Sequence, residues 1–292
     1  MTGNKKRIIY LFLGLCAGLT GFSAVELLSA AGVESYLFLA ITQGASLGLI
    51  FGFIFGFTDA IFYKELKRGL IKAGIAAGLG GLTAAAAVIF SSQGMLWTAN
   101  IFKLEYEQTM GLLFPLWRGV GWMFMGMFIG AVDGIQRKTW RRGVAGGLGG
   151  LAGGLLGGLI FEFLVRFFPE AALARAFGLI AMGLLIGLFL GEFEIRFSYA
   201  RLRVLNGQLK DREFLLVKPK VYLGDSIHDD VYIHGYRKIL SGLILRKNSE
   251  IYLEPGDESP LLLNDEPAGI RQALKYQDVI QLGDVKLLYL PL

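Results

Sequence analysis

The chain has 292 residues, a hydrophobic content of 54% and a net charge of +5. Together with a mean hydropathy of +0.53, this composition excludes a single ordinary soluble domain. A lone cysteine, Cys16, excludes an intrachain disulfide. Only seven of the 41 glycines follow residue 200, and the long uncharged segments also precede it. The sequence therefore predicts a membrane domain over residues 1–196 and a soluble domain over 197–292.

Six apolar runs precede residue 196, and each has close to the ~20 residues that cross a bilayer. The runs are 8–31, 37–61, 70–90, 112–135, 144–168 and 171–193. A cleaved signal peptide would resemble the first run, but its pattern recurs later in the chain, so we interpret it as a span. Basic residues cluster after the second, fourth and sixth runs. The positive-inside rule then predicts a multi-pass protein of the cytoplasmic (inner) membrane with both termini in the cytoplasm.

Glycine recurs at every fourth residue in these runs, a spacing that lets neighbouring helices approach closely in lipid. The segment that begins at Gly14 aligns without gaps on the segment that begins at Gly150, which brings Glu26 opposite Glu162. In the third run, glycines from Gly74 onwards repeat the same spacing. The glycines expected to pack helices together are Gly48, Gly52, Gly56, Gly126, Gly130, Gly146, Gly150, Gly154, Gly158, Gly183 and Gly187.

The even-numbered runs share a second pattern, in which glycines lead to Asp59 in the second run and to Asp133 in the fourth. The sixth run, with Glu192, is a looser copy. The sequence thus predicts three tandem helical hairpins around a pseudo-threefold axis along the membrane normal. The alternative is that glycine-rich helices resemble each other through composition alone.

Ionisable residues inside the spans are functional candidates. Near the cytoplasmic ends, Asp59, Asp133 and Glu192 would either form an acidic ring around a path or pair with a basic residue about one turn later, and we favour pairing. No span carries the row of carboxylates or histidines expected of a proton relay.

Three more charges, Arg118, Glu26 and Glu162, lie towards the opposite ends of the spans. Arg166, one helical turn after Glu162, is its expected partner. Arg118 would pair with Glu26 or Glu162, or reach the headgroups. Residues 91–110 are too polar to span, and their aromatic residues indicate a separate interfacial helix.

From residue 200 the sequence changes to nine short alternating runs separated by turn residues, which indicates an all-β sandwich. Residues 201–290 resemble a forkhead-associated (FHA) domain. The stretch VYLGDSIHDDVYI resembles the family's G-R-S strand–loop–strand, and LKYQDVIQLGDVKLLYL resembles its closing L-x-x-G-D-x-I-x-L-G pattern, with Gln277 in place of a glycine.

That resemblance implies binding of phosphothreonine peptides through loops at one end of the sandwich. Here the phosphate-gripping arginine is replaced by Asp225, which repels phosphate. The family's S-R-x-H stretch reads RKILSG at 237–242, and its N-G motif reads Glu-Ser-Pro at 258–260. We therefore expect a degenerate module that binds a protein partner without requiring phosphate. Its predicted partner-binding loops contain Asp225, His228, Arg237, Lys238 and Ser241.

Asp225, His228, Asp229, Asp230 and His234 are close in sequence and include both histidines. Such groups can bind a divalent metal, but a polar turn between strands is the interpretation we favour, because the spacing matches no closed site. The sequence shows no nucleophile–base pair, P-loop or paired catalytic acids. We expect no metal, no cofactor, no nucleic-acid partner and no enzymatic activity.

These predictions favour a membrane scaffold or adaptor that presents an FHA-like domain to a cytosolic or membrane protein. A channel or transporter subunit with a regulatory tail is the alternative. Self-association into a homo-oligomer is a third hypothesis, because glycine faces occur on all six spans.

Overall fold

A computed structural model describes residues 3–63, 66–136, 140–168, 172–207, 209–224, 229–233, 241–247, 250–256 and 261–292. The chain divides into a helical unit, Arg7–Glu194, and a second unit that contains Ile195–Leu292 together with the first residues, up to Lys6. The division lies inside the last long helix.

Across the described ranges, six helices are long and apolar enough to cross a membrane. They are α1 (Gly3–Ala30), α2 (Tyr36–Gly56), α4 (Leu66–Phe102), α6 (Phe114–Gln136), α7 (Trp140–Phe167) and α8 (Ala172–Phe197). Two short helices, α3 (Thr58–Tyr63) and α5 (Tyr106–Gln108), and a π-helical turn at Thr109–Leu113 connect them. The predicted fold class, six membrane-length helices in three tandem hairpins followed by a β domain, is confirmed.

One expectation about this region is wrong. Residues 91–102 do not form a separate interfacial helix, because α4 continues unbroken through them to Phe102. With 37 residues, α4 is about 55 Å long, well beyond the ~30 Å hydrocarbon core of a bilayer.

Three helix pairs pack backbone against backbone in the same antiparallel register. A Cβ added to Gly126 on α6 would come closer than 3.0 Å to the carbonyl of Gly150 on α7. The equivalent contact joins Gly48 on α2 to Gly80 on α4. The third pair closes the bundle by joining Gly183 on α8 to Gly14 on α1.

The neighbouring turns repeat this register, because Gly52 meets Ala76, Gly130 meets Gly146 and Gly187 meets Tyr10. Gly154 and Gly158 lie against Trp122, and Gly56 lies against Ala73 and Ala76. All of the glycines predicted to pack helices therefore lie at close contacts.

The packing also corrects the alignment of the third span. Gly74 and Gly78, which share the spacing of Gly14 and Gly18, face open space and meet nothing within 4 Å. The equivalent of Gly14 is Gly80, six residues further along.

The centre of the bundle is filled by large apolar side chains from the three even-numbered spans. They occupy equivalent positions, one residue before and three residues after Gly48, Gly126 and Gly183, and their exposed fractions are 5% or less. These residues are Leu47, Phe51, Met125, Ile129, Met182 and Ile186. At the level of Gly48, Gly126 and Gly183, the pseudo-threefold axis is therefore packed.

The β domain contains a strand in each of the nine predicted runs, together with the short strands β8 and β9. The described strands are β1 (Ala200–Val204), β2 (Glu213–Leu216), β3 (Lys220–Gly224), β4 (Val231–Tyr232), β5 (Ser241–Lys247), β6 (Glu250–Pro255), β7 (Leu261–Leu263), β8 (Glu266–Pro267), β9 (Gln272–Ala273), β10 (Val279–Leu282) and β11 (Val285–Leu290). The predicted tight hairpin joins β10 to β11, where Gly283 has the positive φ of +59° that favours glycine.

These described strands form two sheets, ordered β2-β1-β11-β10-β7-β8 and β4-β3-β5-β6-β9. Pairing is antiparallel apart from β3 with β4. Alternate residues of both sheets are buried, among them Leu202, Leu287, Ile244 and Leu253, each with an exposed fraction of 0%. This alternation is typical of a sandwich, in which one face of each sheet lies in the core.

Candidate functional site

Among the described residues of the helical unit, the most enclosed charged group lies between α6 and α7. Arg118 Nε donates to Glu162 Oε1 at 2.6 Å, and Trp122 Nε1 donates to the same oxygen at 3.0 Å. Glu162 is only 7% exposed. The guanidinium also lies 5.4 Å from the ring centre of Phe114, which adds a cation–π contact.

A second pair joins α8 to α1 at the same end of the bundle. Arg175 donates to Glu26 from two nitrogens, Nε to Oε1 at 2.5 Å and Nη2 to Oε2 at 3.0 Å. This is the forked geometry in which an arginine binds a carboxylate most strongly. We call this end, where α1, α4 and α7 finish and α2, α6 and α8 begin, the distal end.

The two pairs occupy equivalent positions. Arg118 lies eight residues before Gly126, and Glu162 lies twelve residues after Gly150. The same offsets from the glycines of the α8–α1 interface lead to Arg175 and Glu26.

These contacts settle the partners that the sequence left open. Of the alternatives for Arg118, Glu162 is correct. The expected pairing of Glu162 with Arg166 is wrong, because Arg166 donates instead to the carbonyl oxygen of Gly111. The alignment of Glu26 on Glu162 could have identified Arg175, since equivalent acids require equivalent bases.

The third interface, between α2 and α4, has no charge at these positions. The same offsets from Gly48 and Gly80 lead to Ala40 and Ser92. One turn deeper, Gly44 stands where α6 has Trp122.

A cavity of about 340 Å³ occupies this third position. Ala40, Gly44, Ser91 and Ser92 contribute to its wall, and Arg118 borders it from α6. Val25 of α1 and Phe161 of α7 also line it, so the cavity extends towards the centre of the bundle. Small side chains at a position where the other two interfaces hold an arginine and a glutamate explain why the space exists. Its volume is within the ~300–1,000 Å³ range of ligand pockets.

Of the three acidic residues predicted near the cytoplasmic ends, the structure describes the side chain of Glu192. Glu192 pairs with Arg7 of α1 at 2.7 Å. The side chains of Asp59 and Asp133 lie outside the described part of the structure.

The predicted partner-binding loops of the β domain leave the sandwich at one end. Gly224, the last residue of β3, is paired with Ser241, the first of β5, and Gly242 is paired with Pro255, the last of β6. The loops after β3, before β5 and after β6 therefore all begin or end at the same edge. Asp225, His228, Arg237 and Lys238 themselves, and the side chain of Ser241, lie outside the described residues.

Asp230 has a structural role within the group of Asp225, His228, Asp229, Asp230 and His234, for which a polar turn was the favoured interpretation. Its carboxylate is 6% exposed, pairs with Lys218 at 2.6 Å and accepts the backbone N–H of Tyr222 at 3.2 Å. The salt bridge and hydrogen bond fix the turn into β4. Asp225, His228 and His234 lie outside the described residues.

No family model and no curated protein matches the chain. Solved structures similar to it include an FHA domain studied for phosphothreonine-dependent interactions, with 18% identity over 32% of this chain and 100% of that chain and a TM-score of 0.28. The FHA domain of the CT664 protein from Chlamydia trachomatis shares 17% identity over 32% of this chain and 99% of its own, with a TM-score of 0.29.

Mycobacterium tuberculosis EmbR, solved in complex with a low-affinity phosphopeptide, shares 10% identity over 97% of this chain and 71% of its own, with a TM-score of 0.29. The sequence identities and the TM-scores of these three structures are all low.

Proposed function

We propose that the protein is a non-enzymatic scaffold or adaptor of the cytoplasmic membrane that presents its FHA-like β domain to a protein partner. The observation that carries this proposal is the common edge at which the three candidate loops leave the β sandwich. Loops held at one end of a rigid sandwich are a recurrent arrangement for binding proteins. The partner is a cytosolic or membrane protein and not a nucleic acid.

Binding in this proposal does not require phosphothreonine. The residue after Gly224 is an aspartate, where phosphopeptide recognition needs a cationic fork. A carboxylate at that place repels a phosphate and favours basic or neutral peptides instead.

The helical unit serves as the membrane anchor. Its packed axis, with side chains such as Phe51 and Ile186 fully buried, supports an anchor better than a conducting path. The basic clusters after alternate spans favour cytoplasmic termini, which would expose the β domain to cytosolic partners.

A channel or transporter subunit with a regulatory tail remains the second candidate. The ion pair between Arg118 and Glu162 favours it, because charges at membrane depth often mark pathways. The filled axis gives this alternative less support than the anchor.

A pull-down with the full-length protein in nanodiscs tests the proposal. Cell extract would be cross-linked before and after phosphatase treatment, and captured proteins would be identified by mass spectrometry. We expect a specific partner that is retained after phosphatase treatment and by the Asp225→Arg variant. If phosphatase treatment abolished a strong capture, binding would depend on phosphate, contrary to the proposal. If vesicles that contain the protein conducted ions, the helical unit would be more than a membrane anchor.

A further inference from the structure

We propose that the cavity between α2, α4 and α6 binds one acyl chain of a phospholipid, with the phosphate of that lipid beside Arg118. The proposal concerns the helical unit alone and does not depend on what the β domain binds. Two of the three equivalent interfaces are closed at the distal end by an arginine and a glutamate. The third, between α2 and α4, holds the cavity instead.

The wall of the cavity changes from polar to apolar with depth. Tyr36, Gln93 and Arg118 lie at the distal end, where α2 and α6 begin. Further inside, Gln43 is a polar lining residue, and most of the wall is made by apolar side chains, among them Leu47 and Met125, which are 2% and 1% exposed. A site with one polar end and one dry end matches an amphiphile and not an ion or a polar metabolite.

The length of the cavity matches one lipid leaflet. On α4 it is lined from Ala84 to Leu96, twelve residues apart, which corresponds to about 18 Å along a helix. Half of the ~30 Å hydrocarbon core is ~15 Å. An extended acyl chain would therefore occupy the space from headgroup depth to the middle of the bundle.

Arg118 is suited to hold the head of such a lipid. A guanidinium carries five N–H donors, more than the single carboxylate of Glu162 takes up. Its side chain is 33% exposed, whereas that of Glu162 is 7% exposed. Tyr36, at the distal end of the cavity, is a second hydrogen-bond partner of Arg118. The two partners leave N–H groups of the guanidinium from which a phosphate oxygen beside Arg118 can accept.

Photolabelling of the full-length protein tests this proposal. The protein would be placed in phosphatidylcholine nanodiscs that contain a phosphatidylcholine with a photoreactive diazirine midway along one acyl chain. Peptides carrying the lipid would be mapped by mass spectrometry. We expect labelling of Leu47, Val88 and Met125 to exceed that of Leu82, which is 72% exposed on the outer surface of α4.

A filling variant separates the cavity from the surrounding lipid. Ala40→Phe places a ring in the cavity and should remove the labelling of its wall, whereas the matched control Ala86→Phe, at an exposed position of α4, should leave it unchanged. If Ala40→Phe does not fold, Ser92→Leu is used in its place, because it fills the cavity from α4. Labelling of the wall no stronger than at Leu82, or unchanged in the filling variants, would overturn the proposal.

A second probe tests the role given to Arg118. A diacylglycerol with the same diazirine lacks the phosphate, so we expect it to label the cavity wall less than the phosphatidylcholine probe does. Equal labelling by the two probes would overturn the assignment of the phosphate to Arg118.

Discussion

The α6–α7 and α2–α4 interfaces have the same backbone register and different distal ends. Both are joined by a pair of glycines whose backbones touch, Gly126 with Gly150 and Gly48 with Gly80. At the distal end, the first interface holds a buried ion pair, whereas the second holds a cavity. The comparison indicates that the glycine contacts set the helix positions and that the distal side chains are free to diverge.

Breaking the shared register should have the largest effect. Gly150→Leu forces a side chain against the backbone of Gly126, which has no flexible atoms to move aside. We expect a loss of about 3 kcal/mol or more in the free energy of unfolding, measured by thermal unfolding in detergent.

Gly74→Leu is the matched control for this substitution. It lies on a helix of the same bundle, and a Cβ there meets nothing within 4 Å. Its stability should equal that of the native protein, so equal losses in the two variants would contradict the packing described for Gly150.

The two distal ion pairs should differ in energy because they differ in burial. Glu162→Gln leaves Arg118 and Trp122 with a weaker acceptor in an enclosed place, and we expect a loss of about 2 kcal/mol. Glu26→Gln should lose about 1 kcal/mol or less, because Glu26 is 31% exposed. Chemical denaturation of both variants under the same conditions measures the difference, and a larger loss for Glu26→Gln would refute it.

The ion pair that the α2–α4 interface lacks can be introduced by two substitutions. Ala40→Arg with Ser92→Glu should recreate the contact between Arg118 and Glu162, whereas each single change adds an unpaired charge. We expect a favourable coupling energy of about 1 kcal/mol in a double-mutant cycle. Additive effects of the two changes would show that the interfaces are not equivalent at their distal ends.

The smallest effect is expected in the β domain. Tyr289 is 1% exposed, and within the described structure its hydroxyl has no hydrogen-bond partner. Tyr289→Phe removes an unsatisfied buried polar group, so below pH 9 the free energy of unfolding should rise slightly, by about 0.5 kcal/mol.

At alkaline pH the hydroxyl of Tyr289 should affect the free energy of unfolding. Burial raises the pKa of Tyr289 above its ordinary value of 10.0. The unfolded chain loses this proton first, so the free energy of unfolding should fall as the pH rises above about 10. The part of this fall that is due to Tyr289 should be absent in Tyr289→Phe, as thermal unfolding across that range would measure.

Features that depend on neighbouring residues were predicted well from the sequence. The six spans follow from hydropathy, and the strands of the β domain follow from alternation, because both signals are local. The extension of α4 through Ser91, Ser92 and Gln93 was missed because hydropathy marks where lipid ends and not where a helix ends.

Features that depend on partners distant in sequence were predicted less well. The third repeat was aligned through Gly74, although the bundle uses Gly80 and Ala76, because alanine also permits close approach and hides the pattern. The partner of Glu162 was sought one turn away at Arg166, whereas the structure brings Arg118 from another helix. The cavity left no local signal, because it arises from small residues at positions where equivalent helices carry large ones.

The contact between Gly14 and Gly183 bears on the order of biosynthesis. The first span has its close glycine partner in the last, 169 residues later in the chain. While the ribosome is still translating the middle of the protein, the glycine face of α1 has no such partner. Ring closure is therefore a late event, and a chain truncated before α8 would present that bare face to the insertion and quality-control machinery of the cell.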